Sequence, residues 1–259
     1  MKIKLFTIAA LVLFLIGINN NAKAEGMVYP GEELTYEVSF MGIKLGSIRM
    51  VIEGYQDLNG LKIVKGKSYI DSYDGIPFVD LKVTFESWMD TTITHSHKFV
   101  SNTKTSDGWY YEQTLFDYAN KRIKIDGYQN KKLAKTDIIQ TNKRWSDGLS
   151  LFYIARQFLY AKKNLKIPTL MDKDTVQTSI NFMVKKEKVD IDAVSYPVRT
   201  VYFSGNANWT GIYGMTGAFE GWFSDDYACI PIKAKLKVYI GNVDVELKNW
   251  KRKGWGPPK

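Results

Sequence analysis

Cysteine is almost missing from this chain: Cys229 is the only one in 259 residues, so no internal disulfide can hold the fold together. Histidine is nearly as scarce, with His95 and His97 alone. Neither an H-E-x-x-H run nor a cysteine pair accompanies them, which excludes the familiar zinc frameworks. No G-x-S-x-G stands in the sequence, so a nucleophile elbow is excluded as well. Gly60 to Ser68 (G-L-K-I-V-K-G-K-S) spaces its glycines one residue too far apart for a phosphate loop, and the residues between them alternate like a strand. After Ile18 no apolar run is long enough to cross a bilayer as a helix. No nucleic-acid-binding motif, internal repeat, low-complexity tract or linker interrupts the rest.

Residues 1–24 read as a signal peptide. Lys2 and Lys4 form a positive head, Leu5 to Ile18 an apolar stretch, and Ala22-Lys23-Ala24 a cleavage site before Glu25. No cysteine stands near the cut, so the expected product is a released, exported domain and not a lipoprotein, with the periplasm as its compartment and secretion as the alternative. The formal charge of +9 includes the leader's three lysines. What remains is a modest positive excess of the kind a solvated surface carries.

The remaining 25–259 reads as one β-rich domain. Leu34, Tyr36, Val38 and Phe40 alternate with Thr35, Glu37 and Ser39, and Ile48, Met50 and Ile52 repeat the pattern. Further strands are expected over 61–70, 81–89, 94–104, 109–118 and 121–126, then over 175–184, 187–191, 198–204 and 217–223. Asn-Gly and Asp-Gly pairs supply turns between several of them. Near the C-terminus, Ile232, Ala234, Leu236, Val238 and Ile240 alternate with lysines ahead of Gly241-Asn242. A two-residue turn there pairs Val238 with Val245, Leu236 with Leu247, and Lys237 with Glu246. One segment departs from the strand habit. Asp147 can cap a helix running to Ala161, with Leu151, Ile154, Ala155, Phe158 and Leu159 as its apolar stripe and Arg156 and Gln157 outside it. Residues 162–173 read as a loop, and the tail from Lys251 as a frayed end.

The chemistry-bearing residues give thin constellations. His95 and His97 share a strand face and supply half of a zinc or copper site, which Asp90 or Glu86 could complete only through the fold. Cys229 has no base at hand and reads as a small buried side chain. Asp225 and Asp226 are adjacent, so on a strand end they point apart and suit a turn better than shared acid–base work. Asn208-Trp209-Thr210 fits a glycosylation sequon that the bacterial style of the leader makes irrelevant.

Three groups of residues carry a resemblance. They are Gly31-Glu32-Glu33-Leu34-Thr35-Tyr36 with Gly42-Ile43 and Leu45-Gly46, and Asp147-Gly148-Leu149-Ser150-Leu151-Phe152-Tyr153. The third is Trp222-Phe223-Ser224-Asp225-Asp226 with Ile230-Pro231 and Gly241-Asn242-Val243. Over about 31 to 249 the chain resembles the DUF3108 family of bacterial exported proteins, which carries no activity or catalytic residues to transfer. The resemblance implies an envelope protein of mostly antiparallel β structure. In outline such a fold is similar to the half-barrel lipoprotein carriers of the periplasm.

The expected architecture is therefore mostly β: a single curved antiparallel sheet, an open barrel or half-barrel, with the 147–161 helix packed against it. A barrel of this size can enclose a cavity for an apolar guest. Tyr36, Val38, Phe40, Phe152, Phe158, Leu236 and Val238 are its expected lining, and Lys233, Lys235 and Lys237 a basic strip for an anionic headgroup. The function expected is non-catalytic binding or carriage of a lipid or other amphiphile, without a cofactor or nucleic acid. A cavity-free scaffold is the first alternative, and a metal-dependent hydrolase using His95 and His97 the second.

Overall fold

A computed structural model describes residues 26–76, 80–207, 209, 217–238 and 241–259. The leader, and Asn208 and Thr210 of the sequon, lie outside the described residues. Eight strands come first: β1 (Glu33–Phe40), β2 (Ile43–Leu58), β3 (Leu61–Ser72), β4 (Lys82–Asp90), β5 (Ser96–Thr105), β6 (Gly108–Asp117), β7 (Arg122–Gln129) and β8 (Lys132–Gln140). Helix α1 (Ser150–Phe158) follows. Six more strands complete the chain: β9 (Asn164–Met171), β10 (Asp174–Val189), β11 (Val198–Ala207), β12 (Gly217–Ser224), β13 (Pro231–Lys237) and β14 (Asn242–Lys251).

All 14 strands join one sheet in the order β8-β7-β6-β5-β4-β3-β2-β1-β14-β13-β12-β11-β10-β9. It consists of two antiparallel meanders joined where β1 pairs with β14. The sheet does not close, because β8 and β9 end it without pairing with each other. The stretch after β8 stitches the gap instead. Ser96 N–H donates to Trp145 O (2.8 Å), Ser146 N–H to Pro168 O (2.9 Å) and Leu170 N–H to Ser146 O (2.9 Å).

The main core lies between the sheet's inner face and α1, around Leu34, Tyr36, Ile52, Tyr153, Ile154, Phe182, Phe223 and Leu247. A smaller cluster gathers Phe116, Ile123, Ile125, Trp145 and Leu170 near the stitched gap.

The structure corrects several expectations. Residues 132–140 form β8 although no apolar alternation marks them, because an edge strand needs only one hydrogen-bonded neighbour and stays largely exposed. Residues 164–171, expected in a loop, form β9. Pro168 is tolerated there because β9 ends the sheet, and its carbonyl still accepts from Ser146. The two strands expected at 175–184 and 187–191 are one irregular strand, β10, whose register against β11 shifts between Asn181 and Lys185.

The last hairpin also differs. Leu236 lies opposite Val243, Ala234 opposite Val245 and Lys233 opposite Glu246, a shift of four residues from the expected register. An even shift keeps each side chain on its face, so alternation alone cannot choose between the registers. Charge can: the expected pairing sets Lys235 against Lys248, whereas the observed one sets Lys235 against Asp244. Beyond the last pair, Lys237 opposite Asn242, Val238 N–H donates to Gly241 O.

The C-terminal tail is docked, not frayed. Trp255 is buried and its indole N–H donates to Asp226 Oδ2 (2.8 Å), while Pro258 O accepts from Arg199 N–H (2.9 Å).

Candidate functional site

Helix α1 is shorter than the 147–161 expected, and both its ends are pinned by buried polar groups. At the N-terminal end Asp147 Oδ1 accepts the N–H groups of Leu149 and Ser150, both at 2.8 Å, the capping geometry its sequence position suggests. Its Oδ2 accepts the hydroxyls of Ser87 on β4 (2.5 Å) and Ser96 on β5 (2.6 Å), which ties the helix start to the sheet. Complete burial pushes the Asp147 carboxyl above the ordinary range, and these donors oppose the push.

The C-terminal end is held by Arg156, which lies outside the apolar stripe of the sequence and is buried. Its Nη1 donates to Glu32 Oε1 at 2.6 Å and its Nη2 to Ala228 O at 2.9 Å. Arg252 from the tail meets the other oxygen of the same carboxylate. Arginine satisfies an i, i+4 polar pattern on paper, but a planar guanidinium can also be buried when it finds a bidentate acid.

Between this fixed helix and the inner sheet face lies a cavity of about 410 Å³. The strand registers order its wall. Met50, Ser68, Phe85, Ser101 and Glu112 form one row across β2 to β6, each opposite the next, and Gly127 and Lys135 extend the row to β8. Ile48, Ile70, Phe99, Phe116, Val243 and Val245 add apolar surface on either side, and Leu149, Phe152, Met171 and Trp209 cover the space from α1, the end of β9 and the neighbouring loops. Phe152 is half exposed, facing this space and not the packed core.

Of the lining residues expected from sequence, Phe152 and Leu236 lie on this wall. Tyr36 and Val38 are buried in packed structure, and Phe158 packs against the main cluster. Phe40 is half-buried beside Gly241, and Val238 is half-buried in the hairpin loop. Tyr36, Val38, Phe40, Phe158 and Val238 are thus not part of the cavity wall. Lys233, Lys235 and Lys237 alternate with Ile232, Ala234 and Leu236 and so face the opposite side of the sheet, where Lys233 pairs with Glu246 at 2.8 Å. They offer nothing to a headgroup seated within.

Sequence reading missed Glu112, Ser101, Thr114 and Ser68. On β6 the apolar residues Tyr111 and Leu115 suggest the inner face, yet Glu112, Thr114 and Phe116 occupy it. A cavity wall does not obey the core's pattern, because its side chains meet vacant space and not packed neighbours. Phe116, buried beside Ile123, and Tyr110, whose hydroxyl reaches Glu112, share that phase.

His95 and His97 do come together, with ring centroids 4.9 Å apart, at the start of β5 and outside the cavity wall. Both nitrogens of His95 are engaged: Nε2 lies 2.6 Å from Arg144 Nη1, and Nδ1 lies 3.2 Å from Asp90 Oδ1. Burial alone would raise Asp90, but hydrogen bonds from His95, Thr92 and Thr94 hold it well below the ordinary carboxylate value. Burial, then its neighbour His95, lowers the His97 imidazole. Among the described residues no group of three or more His, Cys, Asp or Glu is arranged to hold a metal ion. Cys229 is buried in the turn that Asp226 organises, where Asp226 Oδ1 accepts the N–H groups of Ala228 (2.9 Å) and Cys229 (3.2 Å). No helix among the described residues is long and apolar enough to cross a membrane.

Residues 35–248 match the family described as "Protein of unknown function (DUF3108)". The chain belongs to the DUF3108 family. Among solved structures, this DUF3108 protein is similar to a β-barrel-like protein of the domain of unknown function DUF1849 from Brucella abortus. The two are 10 % identical, the likeness covers 87 % of this chain and 98 % of that one, and the TM-score is 0.55. At that identity the likeness establishes the barrel-like fold alone. No curated protein matches the chain.

Proposed function

We propose that this DUF3108 protein is an exported envelope protein that holds one apolar or amphiphilic molecule, without catalysis, inside its half-barrel. The observation that carries the reading is the cavity of about 410 Å³ between α1 and the β2–β6 wall. Its size falls within the roughly 300–1,000 Å³ of small-molecule sites, and its surface is mostly apolar. Buried polar groups fix α1 at both ends, which supports a preformed container over a collapsed interior. A preformed apolar site needs little rearrangement to accept a guest. The leader with its Ala22-Lys23-Ala24 site supports export, and with it a periplasmic setting.

The test is extraction. Protein purified from its native compartment is extracted with organic solvent, and the extract is compared by mass spectrometry with that of Val245→Trp, which fills the cavity from β14. A lipid or amphiphile in proportion to protein, absent from the filled variant, supports carriage. A clean extract, together with no binding of a neutral fluorescent probe such as N-phenylnaphthylamine, would sink the reading.

A further inference from the structure

The cavity wall is acidic as well as apolar. Glu112, Asp147 and Asp172 line it, and no lysine, arginine or histidine of the described residues does. Asp147 is spoken for by α1 and by Ser87 and Ser96. Glu112 is different. It is buried on the wall, and Tyr110 Oη (3.3 Å) and Lys135 Nζ (3.2 Å) both approach one of its oxygens, Oε2. Among the described residues Oε1 has no hydrogen-bond donor. Gly127 makes this arrangement possible, because a Cβ there would collide with Tyr110 Oη and crowd the Lys135 side chain. Ser101 lies directly opposite Glu112 across the β5–β6 pair, and Thr114 follows two residues on along the same face. Both line the cavity.

Taking the cavity as the ligand site proposed above, we infer that its guest is a single-chain amphiphile with an uncharged, hydroxyl-bearing head, which donates to Glu112 Oε1 and shares hydrogen bonds with Ser101 and Thr114. Lys135 already compensates the Glu112 charge, so the pair offers no net positive charge to attract an acidic head. An anionic head would instead bring a second negative group against a buried carboxylate, and such like-charge contacts are strongly penalised away from water. A hydroxyl meets the same oxygen as a donor and so replaces the water that a guest displaces from it. The apolar rows then receive the chain, since each methylene removed from water favours binding.

The experiment displaces N-phenylnaphthylamine from the mature protein with monooleoylglycerol, with oleate at a pH where it is ionised, and with oleylamine, each below its aggregation threshold. Monooleoylglycerol is expected to displace the probe at a concentration about tenfold lower than oleate. Glu112→Gln keeps the volume and an acceptor but removes the charge, and should bring the two ligands to within about twofold. Ser101→Ala, chosen in case Glu112→Gln fails to fold, should weaken monooleoylglycerol several-fold and leave oleate unchanged. Oleate equal to or better than monooleoylglycerol in the wild type overturns the inference, and so does an unchanged ratio in Glu112→Gln or an unchanged monooleoylglycerol midpoint in Ser101→Ala. Oleylamine outcompeting both would make the head site a cation site, and likewise overturns it. These outcomes leave the cavity reading intact, whereas failure of the neutral probe to bind removes both.

Discussion

Arg156 and Glu32 stand 124 positions apart in the chain and meet at 2.6 Å in the protein's interior, each almost wholly removed from water. Arg252 completes the group from a third region of the sequence. One carboxylate therefore serves two guanidiniums, and the three join the chain's N-terminal turn, α1 and the tail. Glu32→Gln strands both arginines without a charge partner and should cost about 3–5 kcal/mol. Arg252→Met, which leaves the Arg156–Glu32 pair in place, should cost clearly less. Denaturant unfolding of the two variants measures this order. Equal midpoints would show that the group does not act as a unit around Glu32.

Asp147 makes the opposite kind of prediction, one about pH. Its folded-state carboxyl titrates above the ordinary value because burial disfavours the charged form, so the folded protein binds this proton more tightly than the unfolded chain does. Whatever stability that proton contributes is complete below the unfolded value and is lost as pH rises through the raised folded value. Asp147→Asn retains an acceptor for Leu149 and Ser150 and removes the titration. The stability difference between wild type and Asp147→Asn should therefore move against the wild type as pH climbs from acid toward neutral. A pH-independent difference would show that the carboxyl is not raised. Asp147→Ala loses the cap and the two serine contacts together, and should be destabilised by about 2 kcal/mol or more at any pH.

These two sites also mark where sequence reading stops. The half-barrel, its antiparallel order and the position of the helix were legible because Leu34 to Phe40 and Ile48 to Ile52 alternate cleanly and Asp147 sits where a cap belongs. Arg156 lies outside the apolar stripe of the helix, a phase at which a charged residue usually faces water. Only the fold brings Glu32 to it. On β6 apolar residues fall on both phases, Tyr111 and Leu115 on one and Tyr110 and Phe116 on the other, so alternation does not single out Glu112 and Thr114 as wall residues. The edge strand β8 escaped notice for a related reason, being too exposed to need a periodic apolar face.

Trp255 gives a direct test of the docked tail. Its ring packs edge-on against Trp250 with centroids 5.8 Å apart, and its indole donates to Asp226, the residue that holds the β12–β13 turn. Trp255→Ala removes a buried indole and should cost about 3–5 kcal/mol, whereas a chain end that frays would lose almost nothing. Trp255→Phe, which keeps most of the ring contact and deletes the N–H, isolates the hydrogen bond at about 1 kcal/mol. Thermal unfolding of both variants separates packing from polar contact.

Phe152 closes the set because it divides container from core. A half-exposed phenylalanine on a helix usually contributes little to stability, and Phe152 touches the cavity instead of the packed cluster. Phe152→Ala should lower the unfolding midpoint only slightly while enlarging the space beside β2 to β6. Neutral probe binding should then change several-fold, in contrast to Leu151→Ala one position earlier, which removes a buried core side chain and should cost about 2–5 kcal/mol. The informative measurement is the pair of numbers for each variant, stability and probe affinity. Were Phe152→Ala to lose as much stability as Leu151→Ala with no change in probe binding, that ring would be holding the core, and the space beneath it would have no claim to be a binding site.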